Sequence, residues 1–159
     1  MEYASLIAEF GSNYGMADLE PDVNGAVGFE VDGRSVIIQQ LPDTGDAFAM
    51  VELFEAPENG AAAVNRLLMQ ANQTLYVLDG MALVLSHENN RYRLVMRFEP
   101  ATLDFVGFDE KLSRLLDRAE QWGQFLDKFM PIAAESERNG GGAPESSYEV
   151  TSPFGMFRV

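Results

Sequence analysis

The sequence predicts an α+β fold, in the order α-β-β-β-α-β-β-α, with an antiparallel sheet packed by helices. Two observations carry that prediction. Apolar residues alternate with a period of two around an Asp-Gly pair in VGFEVDGRSVIIQQL (27–41) and again in RYRLVMRF (91–98). Elsewhere they recur every three or four residues, as in AAAVNRLLMQANQTL and FDEKLSRLLDRAEQWGQFLDKFM.

The first element is a short helix in YASLIAEFGSNY. Leu6, Ile7 and Phe10 lie at helical spacing with Tyr3 and Tyr14 on the same side, and the helix fades between Gly11 and Gly15. ADLEPDVNG is a loop by composition. Asp32-Gly33 then makes a two-residue hairpin turn. That register sets Val31 against Arg34, Phe29 against Val36 and Val27 against Ile38. One face of the hairpin is apolar. The other carries Glu30, Ser35 and Gln39, but also Ile37 and Leu41, which a purely solvated face does not need. LPDTGD is the next turn, and AFAMVELFE (47–55) is a strand apolar on both parities, hence covered on both sides.

The period changes at APENGAAAVNRLLMQANQTL, where Val64, Leu67, Leu68 and Ala71 mark one helix face. Asn59 or Gly60 supplies its start and VLDG (77–80) reads as a connector. MALVLS (81–86) is a strand and HENN a turn. In RYRLVMRF, Tyr92, Leu94, Met96 and Phe98 share a face, and Arg91, Arg93 and Arg97 share the other. PATLDFVG connects to the longest helix. Its stripe is Phe108, Leu112, Leu115, Leu116, Ala119, Trp122, Leu126 and Phe129, with Asp109 and Glu110 in its first turn and Pro131 expected to end or kink it. Residues 1–137 read as a single domain. Residues 138–159, rich in Gly, Pro and Ser, read as a flexible tail whose end, SPFGMFRV, is either a short linear motif or a segment that folds back.

Composition restricts the chemistry. The 159 residues hold no cysteine, which excludes disulfides, thiolate metal sites and cysteine nucleophiles. A single histidine, His87, sits in a turn and rules out a histidine pair for zinc. There is no glycine-rich loop followed by lysine, and the acidic clusters DLEPD and DTGD lack calcium-loop spacing. No catalytic residue, metal ligand or cofactor site is therefore expected. The net charge of −14 repels nucleic acid and anionic membrane surfaces and favours basic partners. No apolar run approaches the roughly 20 residues of a membrane helix, and the acidic start MEYASLIAEF is no secretory signal. Two features rise above background. The arginine stripe is either a solvated face neutralised by nearby acids or a set of partners for carboxylates across an interface, and the excess apolar surface at Ile37 and Leu41, on the Leu6-Ile7-Phe10 face and in the 47–55 strand is either a register misread or a docking surface.

The ordered set of segments resembles the type III secretion chaperones of the CesT/SycE (Tir chaperone) family over about residues 3–129. The carriers are the opening helix, VGFEVDGRSVIIQQL, MVELFEAP, LLMQANQTLYVLDGMALVLS, and RYRLVMRFEPATLDFVGFDEKLSRLLDRAEQWGQFL with its single Trp122. The resemblance implies a type III secretion chaperone-like α+β fold. It implies a cytoplasmic bacterial homodimer without enzymatic activity or cofactor, which binds the N-terminal segment of a secreted effector and keeps it soluble and secretion-competent. Neither nucleic acid nor membrane insertion is expected. On this reading Leu6, Ile7, Phe10, Phe29, Ile37 and Leu41 meet the effector. Val64, Leu67, Leu68, Arg91, Arg93 and Arg97 meet the second protomer. A same-fold regulatory or sensory binding domain resembling the YbjN group, without an effector client, is the alternative.

Overall fold

The computed structural model describes residues 1–16, 18–139, 149–152 and 155–158. The elements are α1 (Tyr3–Asn13), β1 (Ala26–Val31), β2 (Arg34–Gln40), β3 (Ala47–Glu55), α2 (Ala61–Asp79), β4 (Met81–Leu85), β5 (Arg91–Phe98), a 3-10 turn (Pro100–Thr102), α3 (Phe105–Arg138), β6 (Glu149–Ser152) and β7 (Gly155–Arg158). The sheet order is β1-β2-β3-β5-β4, with β6 and β7 a separate antiparallel pair. The expected order of helices and strands is thus observed through α3. The flexible tail expected from residue 138 falls mostly outside the described residues; within it, Glu149 pairs with Arg158 and Ser152 with Gly155.

The β1–β2 register is the one expected from Asp32-Gly33. Val31 pairs with Arg34, Phe29 with Val36 and Val27 with Ile38. Asp32 and Gly33 have φ of 50° and 75°, the two positive values that a type I′ turn requires. In β3 the odd positions Ala47, Ala49, Val51 and Leu53 are buried and the even ones from Phe48 to Phe54 are half-buried, so both faces have cover.

The chain divides into two compact units. Met1–Glu52 with Val95–Asp117 forms the first, and Leu53–Leu94 with Arg118–Val159 the second. The first unit buries Leu6, Ile7 and Phe10 of α1 with Val36, Ile38, Val51, Phe98, Phe108 and Leu115. Phe10 is its aromatic hub: its ring lies 5.5 Å from Phe29 and 5.4 Å, edge-on, from Phe108. Tyr3 ties α1 to the hairpin by donating to the Gly25 carbonyl at 2.9 Å and the Ile38 carbonyl at 3.3 Å. Burial pushes its pKa up to about 12, with Asp22 adding to the effect. The second unit buries Val64, Leu67, Ala71 and Leu75 of α2 with Tyr92, Leu94, Trp122 and Leu126.

Three boundary readings are corrected. α2 runs through Val77–Asp79 rather than yielding to a connector; Gly80, at φ 66°, ends it with its N–H on the Tyr76 carbonyl. α3 begins at Phe105, earlier than expected. Asp104 accepts the Gly107 N–H at 2.8 Å and opens the helix, so Asp109 and Glu110 lie beyond its first turn. α3 also continues through Pro131 to Arg138, because the proline is exposed and the carbonyl it leaves unbonded, at exposed Asp127, can meet water.

Gly60 opens α2 at φ 80°, and a Cβ there would lie 2.6 Å from the Ala133 carbonyl carbon and the Ala134 nitrogen of α3. Its N–H also donates to Glu137. Gly60→Ala meets both a left-handed backbone and rigid main chain, and should cost about 2 kcal/mol or more. Urea unfolding followed by circular dichroism checks this; a loss under about 0.5 kcal/mol would show that α2 and α3 separate easily there.

Candidate functional site

No chemistry-bearing cluster emerges among the described residues. None of their histidines or acids form a group of three or more able to hold a metal, and His87 is exposed in its turn. Beyond Tyr3, the shifted groups have local causes. The Tyr14 hydroxyl donates to Asp109 at 2.6 Å, which raises its pKa. Burial raises that of Tyr92, whose hydroxyl donates to Asn65 at 2.8 Å. Asp22 is held below its ordinary range by accepting backbone N–H bonds from Ala26 and Asn24.

What the structure does build is an apolar row on a sheet face. Register places Gly28 opposite Ile37 and Ile37 opposite Met50, with Gln39 opposite Phe48 on the same face. Ile37, Met50 and Phe48 are half-buried, and so is Leu41 just past β2. The row is open at its β1 end, where exposed Gly28 contributes no side chain. This is the two-sided hairpin that the sequence announced at Ile37 and Leu41.

The two sheet edges differ. Bonding alternates along β1, and the Gln40 N–H on the Gly25 carbonyl at 3.0 Å sets its phase, so Ala26, Gly28 and Glu30 turn their backbone groups outward. Asp22 closes Ala26: its carboxylate accepts the Ala26 N–H at 2.9 Å and its own N–H donates to the Ala26 carbonyl at 2.8 Å. Gly28 and Glu30, both exposed, are left as an open edge. On β4 the Ser86 N–H donates to the Arg91 carbonyl of β5, which turns Leu83 outward. There Asn72 of α2 occupies both backbone groups. Its Nδ2 donates to the Leu83 carbonyl at 2.9 Å and its Oδ1 accepts the Leu83 N–H at 2.7 Å. The β4 edge is plugged at its centre.

Beside that plug, Asn65, Leu68, Met69, Asn72, Leu83, Val84, Leu85 and Tyr92 line an open apolar groove of about 280 Å³. Met69, Tyr76, Val84 and Leu85 are exposed on α2 and β4.

The residues expected to meet partners are distributed unevenly. Leu6, Ile7 and Phe10 are buried within the chain and hold α1 to its core, while Phe29, Ile37 and Leu41 keep partial access. Val64, Leu67 and Leu68 are buried as well, so α2 presents a different set of side chains outward. Arg91 and Arg93 are half-buried, Arg93 lying 3.7 Å from Glu88. Arg97 is exposed and bonds Asp46 through its Nε at 2.8 Å. Sequence reasoning missed Asp22, Asn72, Met69, Tyr76, Val84 and Leu85. Of these, only the unmatched apolar Met69 and Tyr76, seven apart on a helix, left a readable signal.

Residues 5–123 match the model of the Tir chaperone protein (CesT) family. The chain belongs to that family. No curated protein sequence matches it. Among solved structures, this CesT-family chain is similar to a chain in the crystal structure of the ExsC-ExsE complex, at TM-score 0.69 and 22% identity, covering 78% of this chain and 96% of that one. It is similar to a chain of the HopA1-SchA chaperone-effector complex at TM-score 0.66 and 15% identity, covering 77% and 93%. It is also similar to one in the Yersinia pestis complex of the type III secretion chaperone SycH with a stable fragment of YscM2, at 0.56 and 15%, covering 74% and 96%. At these identities the likeness is one of fold, an antiparallel five-stranded sheet packed with helices. Among the described residues no helix is long and apolar enough to cross a membrane.

Two predictions follow from the edge closures. Asn72→Ala strands two backbone groups of Leu83 and should cost about 1–3 kcal/mol, with faster amide exchange at Leu83 than in the unaltered chain. Unchanged exchange would mean that α2, not Asn72, shields the edge. The Asp22 closure has a pH sign. The folded pKa lies below the ordinary 3.8, so the stabilisation is complete above 3.8 and is lost as pH falls through the lower folded value. The Asn24 and Ala26 amide shifts, followed by NMR, should titrate with a midpoint below 3.8; a midpoint at or above it contradicts the closure.

Proposed function

We propose that this chain is a non-enzymatic type III secretion chaperone. As a homodimer in the bacterial cytoplasm, it binds the N-terminal segment of a secreted effector and keeps that segment soluble and competent for secretion. The observation that carries the reading is the family match over residues 5–123. Solved structures of similar fold include a chaperone-effector complex, which supports an effector partner here.

The physical requirements of such a task match the surfaces described. A segment held without its own fold gains its stability from the receiver, through strand edges and apolar pockets. Ordering it costs about 2–5 kcal/mol or more. A few buried Leu- or Ile-sized side chains, at about 1.5–3 kcal/mol each, offset that cost. The row of Ile37, Met50 and Phe48, with Leu41 beside it, supplies such contacts. The net charge of −14 opposes self-association and favours a basic guest.

For the second protomer, the α2–β4 groove with Met69, Tyr76, Val84 and Leu85 around it offers recess and projection on one face, as a two-fold contact needs. With the β4 edge plugged at Leu83, the contact is made by side chains rather than by strand pairing.

The test is capture from native lysate on tagged protein, with mass spectrometry and limited proteolysis of the captured material. One dominant protein protected only near its N-terminus is expected. Ile37→Asp with Leu41→Asp should abolish capture while light scattering still reports a folded dimer. Met69→Asp with Leu85→Asp should yield a folded monomer. A clean dimer that captures nothing, from cells expressing secretion components, favours the regulatory domain instead.

A further inference from the structure

The second unit holds a contact that the proposed function does not use, between the last turn of α3 and the start of α2. We propose that Glu137 is a positioning residue: it supplies from α3 the N-terminal cap that α2 lacks, and so holds the Asn65 end of the α2–β4 groove in place. The clamp stands apart from the proposed function; only its effect on a second protomer rests on that reading.

The first turn of α2 cannot cap itself. Its N-cap position is Gly60, which has no side chain, and Ala61, Ala62 and Ala63 follow with no acidic residue among them. In a capping box the third helical residue is Glu or Gln and accepts the N–H of the N-cap residue. Here that third residue is Ala63. The Gly60 N–H is nevertheless bonded, to the carboxylate of Glu137, 77 residues away in the chain. Gly60 is buried, and a buried N–H needs a partner. A carboxylate there also opposes the positive end of the α2 dipole.

The period of α3 brings the carboxylate to that point. Phe125, Phe129, Ala133 and Glu137 recur every four residues on one face. The first three are buried, and the rings of Phe125 and Phe129 stack at 5.9 Å. Pro131 lies off that face, exposed, and leaves the helix unbroken. Ala133 meets Gly60 so closely that a Cβ on Gly60 would stand 2.6 Å from its carbonyl carbon. One turn further on is Glu137, at the Gly60 N–H. All four residues lie beyond 5–123, so the family match does not account for the clamp.

From the cap the effect reaches the groove within the next turn. Val64 closes the first turn with its N–H on the Gly60 carbonyl at 3.1 Å, and Asn65 follows it. Asn65 lines the groove and accepts the Tyr92 hydroxyl at 2.8 Å. The α2 wall of the groove is thus pinned twice, by Asn72 on the Leu83 backbone and by Glu137 at the start of the helix. Without Glu137 the first turn frays, and the Asn65 end of the groove loosens with it.

NMR on the full chain tests the clamp. Glu137→Ala should speed amide exchange at Gly60, Val64 and Asn65 about ten- to hundredfold, while Leu75 and Leu78 keep the parent rates. Glu137→Gln keeps an acceptor oxygen and should exchange at least about threefold more slowly than Glu137→Ala. The Asn65 side-chain amide signals, which report its bond with Tyr92, should shift in Glu137→Ala and return in Glu137→Gln. Self-association should weaken at least about threefold in Glu137→Ala, because the frayed fraction must be re-ordered on contact. Parent exchange rates in Glu137→Ala, equal rates in the two variants, or faster exchange spread over all of α2 overturns the clamp. Unmoved Asn65 signals overturn its link to the groove. Shifted Asn65 signals with undiminished self-association support the clamp and fail the groove as the second protomer's contact. If the parent is monomeric, the dimer reading fails, and the exchange rates and Asn65 signals still decide the clamp.

Discussion

The two-residue turn at Asp32-Gly33 is the constraint on which the two sheet faces and the β1 edge depend. Side chains alternate along a strand, so a register slip of one residue exchanges the two faces. With Val31 locked opposite Arg34, Val27, Val36 and Ile38 are directed to the core and Ile37 to the other face, in line with Gly28 and Met50. The same register decides which β1 backbone groups point outward. Core packing, the apolar row and the open edge thus descend from one turn, and the positive φ values of Asp32 and Gly33 are its local requirement.

Periodicity and turn chemistry made most of the fold legible, because both are local. The hairpin register, the alternation of β5 and the α3 stripe could be read directly; of that stripe, only Leu116 is not buried. The helix boundaries failed where one residue outweighed a composition trend. Asp104 opens α3 from inside a segment that reads as a connector, and Gly80 ends α2 three residues later than the apolar pattern suggests. Pro131 leaves α3 unbroken because the cost of a proline depends on whether the carbonyl it strands reaches water.

The candidate surfaces were less legible for a physical reason. Apolar periodicity identifies the face of a helix that is buried, and cannot say whether the cover comes from the same chain. Val64, Leu67 and Leu68 were found by period, and they are core. The α2 residues left outside, Met69 and Tyr76, belong to no continuous stripe. Edge closures are harder still. Asn72 and Leu83 are eleven residues apart, and only the packing of α2 beside β4 brings one amide onto both backbone groups of a strand residue. Nothing in the sequence around Asn72 distinguishes it from a solvated helix asparagine.

A sheet with two edges has a particular problem with both of them. Unpaired edges template pairing with any extended chain, including another copy of the same protein. Leaving both open would invite polymers, since a chain with two free edges can pair at each end. Here one edge is plugged at its centre by an amide that mimics a strand's donor and acceptor, and the other is closed only at its first residue, leaving a short opening. Charge adds a second restraint. Two copies meeting edge to edge along β1 would each bring exposed Glu30 and Asp32 to the acidic edge of the other, within a chain already at −14. A basic extended segment meets no such repulsion. The apolar row can therefore remain accessible without driving self-association, because what limits pairing is the short length of free backbone and the sign of the charge beside it.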